Sequence, residues 1–95
     1  MWGLDTTSRF RRKYRKLANK NSALKNKIQE SIKLLTKDPR DNRLKSHKVI
    51  TKEHGEAFSS FATGDIRIIW QRQDERLVLL LLDIGGHSGG RGVYK

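Results

Sequence analysis

Asp65-Ile66-Arg67-Ile68-Ile69-Trp70-Gln71-Arg72, a turn at Gln73-Asp74-Glu75, then Arg76-Leu77-Val78-Leu79-Leu80-Leu81-Leu82-Asp83-Ile84 decides the fold. In the first run Asp65, Arg67 and Ile69 alternate with Ile66, Ile68 and Trp70, the period of two that sends successive side chains to opposite faces of a strand. The second run is almost continuously apolar, as a central strand buried on both faces must be. The polar triplet between them reads as a hairpin turn. Working outward, 47–51 and 58–62 read as two further strands, with a tight connection at Thr63-Gly64. Gly85-Gly86 and Gly89-Gly90 are expected to break the last strand before Gly92-Val93-Tyr94 resumes it.

Upstream the period changes to that of a helix. Thr6-Thr7-Ser8 offers N-cap side chains before Phe10, Tyr14 and Leu17, which recur at i, i+4, i+7 on one face. Asn19-Lys20-Asn21 interrupts the pattern, and Leu24, Ile28, Ile32 and Leu35 resume it until Pro39 stops the helix near Lys37-Asp38. Residues 2–4 read as a short first strand. Two amphipathic helices in succession need a sheet to cover their apolar faces. The expected fold class is therefore α+β: two N-terminal helices packed on a mostly antiparallel sheet of 4–5 strands, as one domain spanning 1–95.

Charge divides the chain in two. Residues 1–48 hold 15 Lys/Arg against 4 Asp/Glu, a net of +11, whereas residues 49–95 hold 6 against 6. All the excess positive charge sits on the helical half, which points to nucleic acid through counterion release from phosphates, or to an acidic protein partner. Met1-Trp2-Gly3-Leu4-Asp5 turns polar at once, unlike a signal peptide, and the Leu run is far shorter than the ~20 residues that span a bilayer. The absence of cysteine fits a reducing compartment, so a cytoplasmic location and no membrane partner are expected.

His47, His54 and His87 lack metal-ligand spacing and there is no thiol, so neither a metal nor any other cofactor is expected. Gly85-Gly86-His87-Ser88-Gly89-Gly90-Arg91 is glycine-rich, but it lacks the Gly-Lys-Ser/Thr ending of a phosphate-binding loop. What remains suits RNA cleavage without a metal: a base for the 2′-hydroxyl proton, cations for the phosphorane charge and an acid for the leaving 5′-oxygen. Imidazole titrates near neutral pH and can serve either proton transfer. Arg67 projects from mid-sheet beside Asp65 and Ile69, and His87 and Tyr94 lie at or after the end of a neighbouring strand, so these are expected to line one concave face, with His47 a further candidate. His54, within Lys52-Glu53-His54-Gly55-Glu56, reads as a loop residue.

Asp38-Pro39 closing the second helix, Leu44-Lys45-Ser46-His47, the strand Gly64-Asp65-Ile66-Arg67-Ile68-Ile69-Trp70 and the ending Ile84-Gly85-Gly86-His87…Val93-Tyr94 together resemble the RelE/ParE toxin superfamily of bacterial type II toxin–antitoxin systems. The resemblance covers nearly the whole chain. It implies a small microbial-RNase-like RelE fold, an acidic cognate antitoxin, operator DNA bound only as the toxin–antitoxin complex, and often mRNA cleavage in the ribosomal A site. It also implies roles for single residues. Arg67 matches the phosphate-stabilising arginine, and His47 matches a histidine of the YafQ-like branch linked to acid–base work. His87 matches the histidine of a Gly-Thr-His motif, Asp65 a catalytic aspartate and Tyr94 a base-packing aromatic; which of His47 and His87 is base or acid stays open. Arg11, Arg12, Arg15, Lys16, Lys45, Lys48 and Arg91 are the residues expected to grip mRNA and ribosomal RNA.

The chain also departs from that pattern. Phe61 stands where YafQ-like toxins carry another histidine, and Asp83 where related nucleases place an arginine, with Arg91 a candidate to restore the charge. Trp70 replaces a usual tyrosine and reads as core. The alternatives are a ParE-like poison of DNA gyrase without nuclease activity, or an inactive nucleic-acid-binding relative.

Overall fold

The computed structural model describes residues 2–86. They run β1 (Gly3–Thr6), α1 (Ser8–Lys20), α2 (Ser22–Lys37), a 3-10 turn (Asn42–Leu44), β2 (His47–Thr51), β3 (Gly55–Thr63), β4 (Ile66–Gln73) and β5 (Val78–Gly86). The sheet order is β1-β5-β4-β3-β2, antiparallel except where β1 lies parallel to β5, and both helices pack on one face. This is the expected α+β architecture.

The helix ends follow from local chemistry. The Thr7 hydroxyl accepts from the Phe10 amide at 3.1 Å, capping α1, and donates to the Leu82 carbonyl at 2.7 Å, tying that cap to β5. Asn21 is at once the C-cap of α1 and the N-cap of α2, its side chain accepting from the Leu24 amide at 3.1 Å. Asp38 caps α2 by donating its amide to the Leu34 carbonyl, and Pro39 prevents another turn.

β5 has an apolar neighbour on each face. Leu79, Leu81 and Ile84 join Phe10, Ile28, Leu35, Leu44, Ile68 and Trp70 under the helices, while Leu82 meets Ala57 and Ile69, with Leu80 and Val49 beside them, on the other side. Strict alternation would not put both Leu81 and Ile84 under the helices. A bulge makes it possible: Ile69 pairs with Asp83 but Trp70 with Leu81, so Leu82 is the extra residue. Asp83 is thereby turned onto the face of Ile69, away from the helices.

Four local expectations are corrected. β5 does not break at Gly85-Gly86, which pair with Arg67 and Ile66 as regular ladder residues. It begins at Val78 and not at 76, because Asp74 to Leu77 form the loop and Leu77 takes the left-handed conformation (φ 53°). Asp65 lies in the turn before β4 and not within it. At the other hairpin, Gly55 opens β3 three residues earlier than expected.

Leu77 is 62% exposed, so its side chain contributes little packing against a left-handed backbone that costs a non-glycine residue roughly 1 kcal/mol. Leu77→Gly is expected to stabilise the fold by about 0.5–1 kcal/mol in urea denaturation, whereas Ile28→Ala, at a fully buried position, is expected to cost about 2–5 kcal/mol.

Candidate functional site

Near the β3–β4 turn, no helix among the described residues covers the sheet face opposite α1 and α2. Phe61 and Arg67 are direct partners across β3 and β4 there, and Arg67 faces Gly85 on its other side, where no side chain intervenes. The Arg67 guanidinium lies 5.1 Å from the Phe61 ring centroid and donates to the Ile66 carbonyl at 3.3 Å. Lys45 places its ammonium 5.7 Å from the same centroid. Two cations thus share one aromatic ring, whose negative face attracts each of them and offsets part of their mutual repulsion.

Lys45 reaches that position because it ends the 3-10 turn in a left-handed conformation (φ 48°), its amide donating to the Asn42 carbonyl. His47, two residues on, pairs with Ser59, so alternation puts it on the same sheet face as Phe61. Its Nδ1 is 3.3 Å from the Lys45 carbonyl. That carbonyl favours the proton on Nδ1 and leaves Nε2 as the exposed basic nitrogen.

A buried hydroxyl chain fixes this loop to the sheet. Trp70 Nε1 donates to Ser60 Oγ at 2.8 Å, Ser60 and Ser46 share a hydrogen bond of 2.6 Å, and Ser46 Oγ donates to the Pro39 carbonyl at 3.2 Å. With the Ser46 proton committed to Pro39, Ser60 must donate to Ser46, so each serine both accepts and donates along a chain that runs one way from Trp70 to Pro39. Ser60 is fully buried and no apolar residue could satisfy Trp70 in its place.

At the rim beside this face, Asp83 receives Lys13 at 2.8 Å and Arg9 at 3.5 Å, both from α1. Arg9 also pairs with Glu53 in the β2–β3 turn, which holds the Glu53 carboxyl below its ordinary range and raises Arg9. Asp83 is thus held by two cations delivered from the helix.

The remaining sequence candidates divide. Arg67, His47 and Lys45 come together on one face. Asp65 sits exposed in the turn at its edge. Arg11 donates to the Thr6 carbonyl and hydroxyl, capping its own strand, and with Arg15 it borders a separate groove beside Phe10 and Tyr14. Arg12 and Lys16 are exposed on α1, and Lys48 pairs loosely with Glu56 at 3.9 Å. His54 is half-buried in the hairpin turn, where its carbonyl accepts from Gln71. His87, Arg91 and Tyr94 lie outside the described residues. Among the described residues no cluster of His, Cys, Asp and Glu has the make-up of a metal site, and no helix is long and apolar enough to cross a membrane.

Three features escaped the sequence reading: the shared Phe61 ring, the serine chain and the Asp83 ion pairs. The first was hidden by a bulge: the turn pairs Thr63 with Ile66, and only the register shift between Phe61 and Thr63 brings Phe61 opposite Arg67. The serine chain had a faint trace, in Ser59-Ser60 interrupting an apolar strand.

No protein-family model matches the chain, and no curated protein sequence does. Solved structures do match it. The YoeB/ParE toxin from Agrobacterium tumefaciens superposes with a TM-score of 0.75 at 15% identity, over 90% of this chain and 99% of that one. YafQ from E. coli gives 0.69 at 20% identity, over 92% and 94%. A chain of the intact E. coli RelBE toxin–antitoxin complex gives 0.62 at 19%, over 94% and 100%. The fold is that of the RelE/ParE-like toxin superfamily.

Ser60→Ala leaves the buried Trp70 N–H without its partner, and is expected to cost about 1–3 kcal/mol in denaturation and to shift the Trp70 indole N–H resonance. Glu53, depressed by Arg9, contributes stability above its ordinary value of about 4.3 that is lost as pH falls through its lower folded value. In Arg9→Gln the Glu53 carboxyl is expected to titrate higher by NMR, back toward that ordinary value.

Proposed function

We propose that this chain is the toxin of a type II toxin–antitoxin system and acts as a metal-independent endoribonuclease on ribosome-bound mRNA. The observation that carries the reading is the pair of cations, Arg67 and Lys45, held on the Phe61 ring on the same sheet face as His47. A scissile phosphate seated over Arg67 and Lys45 gains charge as the 2′-oxygen attacks, and fixed cations stabilise that added charge. The reaction closes a 2′-O–P bond, opens the P–O5′ bond and leaves a 2′,3′-cyclic phosphate and a 5′-hydroxyl. His47, with Nε2 outward, takes the 2′-proton or protonates the departing O5′, and His87 takes the complementary role. Asp65 assists at the edge of the face and Tyr94 stacks on a base, a contact worth ~1–3 kcal/mol.

With the message held by the ribosome, positioning comes from the larger machine and few groups are needed on the toxin. The exposed Arg12 and Lys16, with Arg11, Arg15, Lys48 and Arg91, would grip ribosomal RNA phosphates. The net charge of +11 also suits an acidic antitoxin, as does the likeness to a chain of the RelBE toxin–antitoxin complex, and operator DNA would be bound only by the pair. In this reading the chain works in the cytoplasm as one unit over 1–95. Asp83 in place of an arginine favours the second reading, a gyrase poison without nuclease chemistry.

Cell-free translation with message ends mapped by primer extension decides between them. Discrete cuts are expected only with ribosomes present, reduced about 10²–10³-fold by Arg67→Ala and about 10²–10⁴-fold by His47→Ala. Intact message with unaffected translation would overturn the nuclease, and inhibition of gyrase supercoiling by the same protein would establish the alternative.

A further inference from the structure

A second groove, of about 370 Å3, opens on the helix side of the sheet, between residues 39–46 and the strands β3 and β4. Its walls are Pro39, Arg40, Asn42, Phe58, Trp70 and Arg72, with Lys45 and Asp41 at the margin. That volume is in the range of a small-ligand site, and its chemistry is mixed in a particular way. The floor is aromatic: Phe58 stacks on Trp70 at 4.8 Å between centroids, and Phe58 is only partly buried. The rim is cationic. Asp41, its one carboxylate, is already held by Arg43 at 3.0 Å, which depresses its pKa to about 2 and removes it as a competitor for Arg40 or Lys45. Among the described residues no carboxylate pairs with either of those two cations. Arg72 does have Asp74 at 2.7 Å and also lies over the Trp2 ring.

An aromatic floor, a carboxamide at Asn42 and unpaired cations at one rim match the three parts of a nucleotide: base face, base edge and phosphate. An acidic peptide would use the cations but leave the aromatic floor and the amide without a counterpart. Position adds a second argument. Lys45 lines this groove, and its ammonium lies over Phe61 on the other sheet face, so one side chain adjoins both sites. We propose that the groove takes one nucleotide of the same single-stranded RNA that crosses the Arg67 face, its base against Phe58 and its phosphate between Arg40 and Lys45. The identity of that strand rests on the nuclease reading; the capacity of the groove to hold a nucleotide does not.

Trp70 lies in the wall of this groove and Trp2 lies under Arg72, another of its walls, so intrinsic fluorescence reports its occupancy. The test titrates the full chain with a six-nucleotide 2′-O-methyl RNA, which binds but cannot be cleaved. Arg40→Glu is compared with Lys20→Glu, an equal charge change at the far end of α1. The expected result is a fluorescence change on binding, with affinity lowered about tenfold by Arg40→Glu, little by Lys20→Glu, and a salt slope shallower by about 0.7 in the first variant only. Equal losses in the two variants, or binding with no change in tryptophan emission, would overturn the groove. A glutamate-rich peptide that shows the Arg40 dependence while the RNA does not would overturn it in favour of a protein ligand. Arg40-dependent binding by a protein that cuts no message leaves the groove standing and removes only the nuclease.

Discussion

The strand β5 must be apolar on both faces and yet carry a carboxylate, and the rest of the fold is arranged around that demand. It lies between β1 and β4, with the helices on one side and a second small cluster on the other. Had the alternation run unbroken through Leu82, Asp83 would enter the layer of Phe10 and Ile28, where an unpaired charge costs several kcal/mol. The bulge at Leu82 resolves the conflict by shifting register once. Ile84 stays under the helices, and Asp83 emerges where Lys13 and Arg9 can reach it. Because Thr7 is bonded to the Leu82 carbonyl at that same point, the start of α1 is positioned by the bulge it serves.

The two faces of the sheet then take different work. The helix side holds most of the apolar burial, each fully buried Leu or Ile contributing roughly 1.5–3 kcal/mol against chain entropy. The other side needs less stability and can carry exposed cations. Holding Arg67 and Lys45 close together is unfavourable in itself, and two devices make it tolerable: the Phe61 ring between them, and a loop fixed from below by the Trp70–Ser60–Ser46–Pro39 chain. The site is therefore arranged before any ligand arrives, which lowers the ordering cost on binding.

Much of this was readable from residues alone, and the boundary is instructive. The alternation in 65–72, the apolar run after it, the helical faces and the stop at Pro39 are local signals, and the structure follows them to within a few residues. Arg67 was placed on one face with Ile69 by period-two arithmetic, whereas His47 joins that face only through the register of β2 on β3 and β3 on β4. What failed was long-range or depended on one backbone angle. The left-handed Leu77 shortened β5 at its start, and the ladder carried Gly85 and Gly86 because Ile66 and Arg67 supplied partners across the sheet. The cations of α1 looked like one basic surface, yet Arg11 caps its own strand, and Arg9 and Lys13 turn inward to Asp83. A charge count does not distinguish a side chain that faces a partner from one that holds the fold.

Asn21 serves both helices, ending one and starting the other, so the connection between them has no length to spare. The pair of backbone angles at this residue fixes the angle between a rod of 13 residues and one of 16. The helix-borne cations accordingly form a stiff comb of set spacing, unlike a basic tail that can drape itself over any polyanion. Any polyanion bound there would be selected by pitch, favoured where its charges repeat at the comb's own intervals.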